Sequence, residues 1–158
     1  MITSFANKLN NKIPPPVVGL FCMVGMYLVS ETEFTFEITR TLNFKLFVLA
    51  VLLGVAIALA GVISFRKAST TVNPLKPETA SNLVINGIFQ YTRNPMYLGM
   101  SVALLGFAIL LGSWLSLLGV VAFMLFIERF QIKPEEAALT ECFGEQFTQY
   151  KTNVRRWL

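Results

Sequence analysis

One stretch limits the fold more than any other. From Lys45 to Phe65 the chain runs 21 residues with no charge after its first position. As an α-helix this run reaches about 31 Å, the depth of a bilayer hydrocarbon core. In a chain of 158 residues, 54% hydrophobic and 14% charged, a membrane is its natural setting. Further apolar runs lie near 16–31, 96–112 and 114–128. The expectation is an all-α integral membrane protein with about four transmembrane helices (near 16–31, 45–65, 96–112 and 114–128) and one domain over residues 1–158. An amphipathic, cytoplasmic helical segment would close the chain.

What is missing narrows the chemistry. The chain has no His, and all nine acids are Glu. This excludes His general bases, Ser-His-Asp triads, His-ligated zinc and Asp-rich cation loops. Cys22 and Cys142 lack metal-ligand spacing and read as packing residues, so no metal is expected. No glycine-rich nucleotide fingerprint occurs. The +4 charge is scattered singly among apolar spans, which argues against nucleic acid and for anionic lipid. Two Lys precede the first run, four Lys or Arg fall in 66–95 and five follow the last run; 31–42 holds one and the tip of the hairpin none. This bias places both termini and the 66–95 loop in the cytoplasm. A cleavable signal peptide is disfavoured by the long start and by Pro14-Pro15-Pro16.

Function is sought in a polar island, Tyr91-Thr92-Arg93-Asn94-Pro95-Met96-Tyr97-Leu98-Gly99, and in a second block that opens with Pro134-Glu135-Glu136. Apolar helices joined at Gly112-Ser113 separate them, and so short a joint forces an antiparallel hairpin. The hairpin returns both blocks to one membrane face. Pro95 suits a helix start, leaving the N–H groups of Met96, Tyr97 and Leu98 as anion donors. Arg93 adds a fixed cation, Tyr91 and Tyr97 add rings and hydroxyls, and Gly99 is read as admitting a flat ligand to the backbone. Taken singly these are membrane-end anchors, and Glu135 and Glu136 are solvated acids of a first helical turn. Together they suit a zwitterion with an extra cation and a diol, the make-up of S-adenosylmethionine.

The tail carries Leu139, Phe143, Phe147, Tyr150 and Val154 at intervals of four, four, three and four, one apolar stripe on a helix. Gly144 is expected to bend it. Arg155, Arg156 and Trp157 read as an interface anchor. Asn73, Pro74 and Lys76, within 73–77, read as a turn, with a cofactor lid as the alternative.

Residues 83–99 resemble the signature Gly-x-Tyr/Phe-x-x-x-Arg-His/Asn-Pro-x-Tyr-x-Gly of the isoprenylcysteine carboxyl methyltransferase and phospholipid methyltransferase superfamily. Residues 134–158, with Glu135-Glu136, Phe143-Gly144-Glu145, Tyr150-Lys151 and Val154-Arg155-Arg156-Trp157, resemble its C-terminal signature. The resemblance covers about the last half of the chain. It implies a membrane methyltransferase using S-adenosylmethionine and a lipophilic acceptor, with the cofactor half over 83–158. Arg93 would stand at the junction of cofactor and acceptor as the catalytic residue. Tyr91, Asn94, Pro95, Tyr97, Leu98, Gly99, Glu135 and Glu136 would line the cofactor. Asn94 stands where the carboxyl methyltransferases usually have His, which weakens a prenylcysteine acceptor but not the cofactor. Substrate-binding residues are not legible. A steroid-type reductase using NADPH is the alternative enzyme, although Met100 stands where those proteins carry an acid. A non-enzymatic membrane scaffold is the other alternative.

Overall fold

The structure, a computed structural model, describes residues 10–32, 34–36, 39–68 and 82–158. Residues 73–77 lie outside them, so neither reading of that segment is addressed. The described residues are all helical: α1 (Pro15–Ser30), α2 (Arg40–Lys67), a 3-10 turn (Gly87–Gln90), α3 (Pro95–Leu111), α4 (Leu117–Ile127), a π turn (Glu128–Ile132) and α5 (Lys133–Asn153). No strand occurs among them; the extended contact is a single antiparallel bridge between Thr35 and Ser113.

α3 is the central helix. It packs closely on α2 along one side and meets α1 and α4 on the other. Small residues set the α2–α3 spacing. A Cβ built on Gly99 would fall onto the Gly54 carbonyl oxygen, and one on Gly54 onto that of Gly99. A Cβ on Gly61 would lie 2.9 Å from Pro95 Cγ, and one on Gly106 2.6 Å from Ala50 Cβ. Two glycines seven residues apart on each helix thus mesh antiparallel, which lets the backbones approach as small residues do in lipid.

Among the described residues, α2 alone is long and apolar enough by itself to cross a membrane; α1 and α3 are shorter apolar helices. The helix expected near 114–128 starts later than its apolar run. The chain turns over Gly112–Ser116, and α4 begins only at Leu117 and is 11 residues long. It does not end there. The Lys133 N–H bonds to the Glu128 carbonyl five residues back, and the helix runs through this π turn into α5. Outward side chains on three helices are nonetheless apolar: Leu20 and Phe21 on α1, Leu49 and Leu52 on α2, Leu118 and Leu125 on α4.

One core, built on Met26, Tyr97, Leu104, Phe123, Ile127 and Ile132, joins α1, α3 and α4 to the π turn. A second gathers Val84, Phe89, Phe147, Tyr150 and Val154, with Leu139 and Phe143 packed against it. The predicted stripe is therefore the face that α5 buries. Gly144 takes φ 52°, ψ −121°, a non-helical conformation inside α5, and the second half folds back over the 3-10 turn, where the Tyr150 hydroxyl donates to the Phe89 carbonyl at 2.6 Å.

Candidate functional site

The two polar blocks meet. The Tyr97 hydroxyl donates to Glu135 Oε1 at 2.5 Å, and Arg93 Nη2 pairs with Glu136 Oε1 at 2.8 Å. These contacts span 38 and 43 residues of sequence, the distance the α3–α4 hairpin closes.

Adjacent acids have different fates. Glu136 lies between two guanidiniums: Arg93 on one oxygen, and Arg156 Nη2 on the other at 2.7 Å. Arg156 also reaches Glu128 Oε1 at 2.8 Å, with Lys133 at 3.6 Å from the same oxygen. Such charge-assisted, multidentate contacts hold a guanidinium firmly. They raise the Arg156 pKa, the hydrogen bond to Glu136 first among the causes, although partial burial opposes the shift. No cation pairs with Glu135 among the described residues. Removal from solvent pushes its carboxyl from 4.5 up to about 8; the Tyr97 hydrogen bond opposes this and the Glu136 charge adds to it.

A backbone lattice sits behind these side chains. The Arg93 N–H donates to the Arg155 carbonyl at 3.1 Å, and Arg93 Nη1 to the Lys151 carbonyl at 3.2 Å. Asn94 Nδ2 donates to the Arg156 carbonyl at 2.8 Å, and the Asn94 N–H to Thr92 Oγ1 at 3.2 Å. Thr92 Oγ1 in turn donates to the Arg156 carbonyl at 3.4 Å. Asn94 thus ties the polar island to the residues after α5. Arg93 Nε is buried without a partner. An orphaned donor on a fixed cation is costly unless an anionic oxygen arrives to accept it.

Several expected roles change in this geometry. Gly99 offers no approach to a flat ligand, because α2 covers it through Gly54. The Leu98 N–H is not a spare donor, since it bonds to the Asn94 carbonyl at 2.9 Å. Pro95 opens α3 as expected and packs against Gly61. Tyr91 is 73% exposed and stands outside the cluster. Arg156 is no membrane anchor: it is the partner that neutralises Glu136. Trp157 packs against the first core. The signal for Arg156 was its place in a terminal Arg-Arg-Trp triplet, which reads equally well as an interfacial anchor. Only the fold-back at Gly144 separates the two.

One half-buried carboxyl with no cation among the described residues, one orphaned guanidinium N–H and a phenol together fit a ligand with both a cation and an anionic or hydroxyl oxygen. S-Adenosylmethionine has these groups, and the residues present fit it. Among the described residues no cluster of His, Cys or Glu has metal-binding form.

Known proteins agree with this class. Residues 42–146, from the first turn of α2 to just past the kink in α5, match the phospholipid methyltransferase family, and the chain belongs to that family. A Haemophilus influenzae protein described as uncharacterized is 46% identical over 63 residues, 40% of this chain and 100% of that protein. The protein-S-isoprenylcysteine O-methyltransferase of Schizosaccharomyces pombe is 39% identical over 74 residues, 46% of this chain and 30% of that enzyme. That of Xenopus laevis is 29% identical over 136 residues, 80% of this chain and 46% of that enzyme. The chain therefore spans less than half the length of either named methyltransferase. No solved structure matches the chain significantly.

Proposed function

We propose that this protein is an S-adenosylmethionine-dependent methyltransferase of a lipophilic acceptor (an isoprenylcysteine-like carboxylate, a thiol or a lipid amine) at a membrane surface. One observation carries the reading: of two adjacent acids, Glu136 is neutralised by Arg93 and Arg156, whereas Glu135 is withdrawn from solvent beside a phenol, with no cation against it among the described residues. A carboxyl in that state is suited to accept a positive ligand group. When bound, S-adenosylmethionine supplies an electrophilic methyl on a sulfonium.

The residues divide the remaining work. Glu135, ionised, pairs with the ammonium or accepts from the ribose hydroxyls, and Tyr97 orients it. Placing Glu135 away from the methyl avoids stabilising the sulfonium in the ground state. Arg93, fixed by Glu136, the Lys151 carbonyl and its own backbone, points its spare N–H at an anionic oxygen of cofactor or acceptor. Asn94 and Pro95 hold the turn that sets Arg93. Alignment of this kind supplies several kcal/mol without any base, consistent with a chain lacking His and Asp. The outward Leu and Phe of α1, α2 and α4 support a multi-pass arrangement in lipid, with the polar end of α3 and both termini on the cytoplasmic side, and an acceptor that enters between helices from the bilayer.

Calorimetric titration of the detergent-purified protein with S-adenosylhomocysteine tests the reading, with NADPH alongside and Glu135→Gln as control. Saturable S-adenosylhomocysteine binding that the variant loses is expected. NADPH binding instead would move the protein to the reductases, and binding of neither would favour a scaffold.

A further inference from the structure

The π turn at Glu128–Ile132 lies immediately before the two acids. A π turn accommodates one residue more than an α turn, so it rotates every later side chain by about 100° relative to an unbroken α-helix. Which carboxyl faces Tyr97 and which faces the arginines is decided there. π turns are strained and persist only where something holds them.

Two contacts hold this one, both from the segment before α1. Pro134 has no N–H to return to the Phe130 carbonyl four residues back; the Asn11 N–H donates to that carbonyl instead, at 2.9 Å. Gln131 Nε2 donates to the Ile13 carbonyl at 2.8 Å. Gln131 is fully buried, and its Oε1 has no partner. A buried amide with an unsatisfied oxygen is a poor choice for stability alone; a leucine of similar volume avoids that desolvation cost. Packing does not account for this residue, and its single bond to the segment before α1 does.

We propose that Gln131 is a positioning residue: by holding Asn10–Ile13 against the π turn, it fixes the rotation that directs Glu135 to Tyr97 and Glu136 to Arg93 and Arg156. The inference rests on Glu135 as the cofactor contact. It assigns to Asn10–Ile13, through the π turn, a role in cofactor binding. The charged and titratable groups around Glu135 are Tyr97 from α3, Glu136 beside it on α5 with its two arginines, and, on the turn itself, Glu128 with Arg156 and Lys133.

The test reads Glu135 directly and the cofactor separately. The Glu135 side-chain carboxyl, followed by 13C resonance in detergent micelles, is titrated in the wild type and in Gln131→Leu, and each is titrated calorimetrically with S-adenosylhomocysteine. Gln131→Leu is expected to bring the Glu135 midpoint down by about one pH unit or more and to weaken binding roughly tenfold, with helicity retained. An unmoved midpoint and unchanged affinity would overturn the proposal. A moved midpoint in a wild type that binds no S-adenosylhomocysteine would support the positioning role and sink the cofactor reading alone. If Gln131→Leu does not fold, Pro134→Ala serves: it restores a donor for the Phe130 carbonyl that competes with Asn11. A smaller shift in the same direction is expected, and no shift would overturn the proposal.

Discussion

The two ends of α3 close in opposite ways. At the hairpin end the joint is backbone and small polar atoms: the Phe36 N–H donates to the Gly112 carbonyl at 2.9 Å, the Trp114 N–H to the Phe34 carbonyl at 3.0 Å, and Ser116 Oγ to the Met26 carbonyl at 3.0 Å. The Phe36 and Trp114 rings stack edge-on at 5.1 Å. Among the described residues no charged side chain takes part. At the other end Arg93, Glu128, Glu136 and Arg156 interlock, and Glu135 is left over. A helix terminus needs only neutral hydrogen bonds to be closed, as the hairpin end demonstrates. The charges at the polar end exceed that need, and the surplus marks the site.

Four substitutions and one titration sharpen or break this contrast. The largest effect belongs to Glu136→Gln, which leaves the largely buried Arg93 and the half-buried Arg156 without their shared anion. A loss of about 3 kcal/mol in thermal unfolding in detergent, together with S-adenosylhomocysteine binding, is expected. A variant that unfolds like the wild type would reduce the network to ornament. Gly99→Ala comes next, because its methyl meets α2 backbone that cannot move as a side chain can. About 1–3 kcal/mol is expected, and calorimetry on the folded fraction should show unchanged affinity if Gly99 serves packing alone. Glu135→Gln reverses the pattern: binding falls by about 1.5–3 kcal/mol while stability at neutral pH holds or rises.

The titration follows from the same residue. Its folded pKa of about 8 lies above the ordinary 4.5, so Glu135 adds stability in full below about 4.5 and loses it as pH rises to about 8. Unfolding midpoints of the cofactor-free protein should decline across that window, and the Glu135 part of the slope should vanish in Glu135→Gln. Affinity for a cationic ligand should rise over the same interval, since binding needs the ionised carboxyl. Smallest is Ser116→Ala at the hairpin end, which loses one neutral hydrogen bond worth about 1 kcal/mol and leaves binding untouched. A binding defect there would erase the distinction between the two ends.

Much of this architecture was readable from the chain alone. Apolar runs located α1, α2 and α3 to within a few residues, the stripe from Leu139 to Val154 identified the buried face of α5, and the short joint at Gly112 brought Arg93 to Glu136. What escaped was set by tertiary contact. Gly99 looked like an opening because its partner Gly54 lies 45 positions earlier, and nothing local pairs them. Arg156 looked like an anchor because its carboxylate partners are 20 and 28 residues away, around a kink. The fourth apolar run was expected to end near 128, with Pro134-Glu135-Glu136 opening a separate first turn; the chain instead stays helical through Glu128–Ile132, and Asn11, far off in sequence, supplies the N–H that Pro134 lacks.

The kink itself has a genetic consequence. At φ 52°, ψ −121°, Gly144 occupies torsions that residues with a Cβ avoid, yet a Cβ there would find nothing within 4 Å. Crowding forbids no amino acid at this codon; backbone torsion disfavours every replacement. A saturation library would therefore record an intolerant position on an open surface, with no neighbour to compensate and no second-site suppressor by repacking. Inheritance of the Arg156–Glu136 clasp hangs on one codon for a residue with no side chain and open space where one would stand.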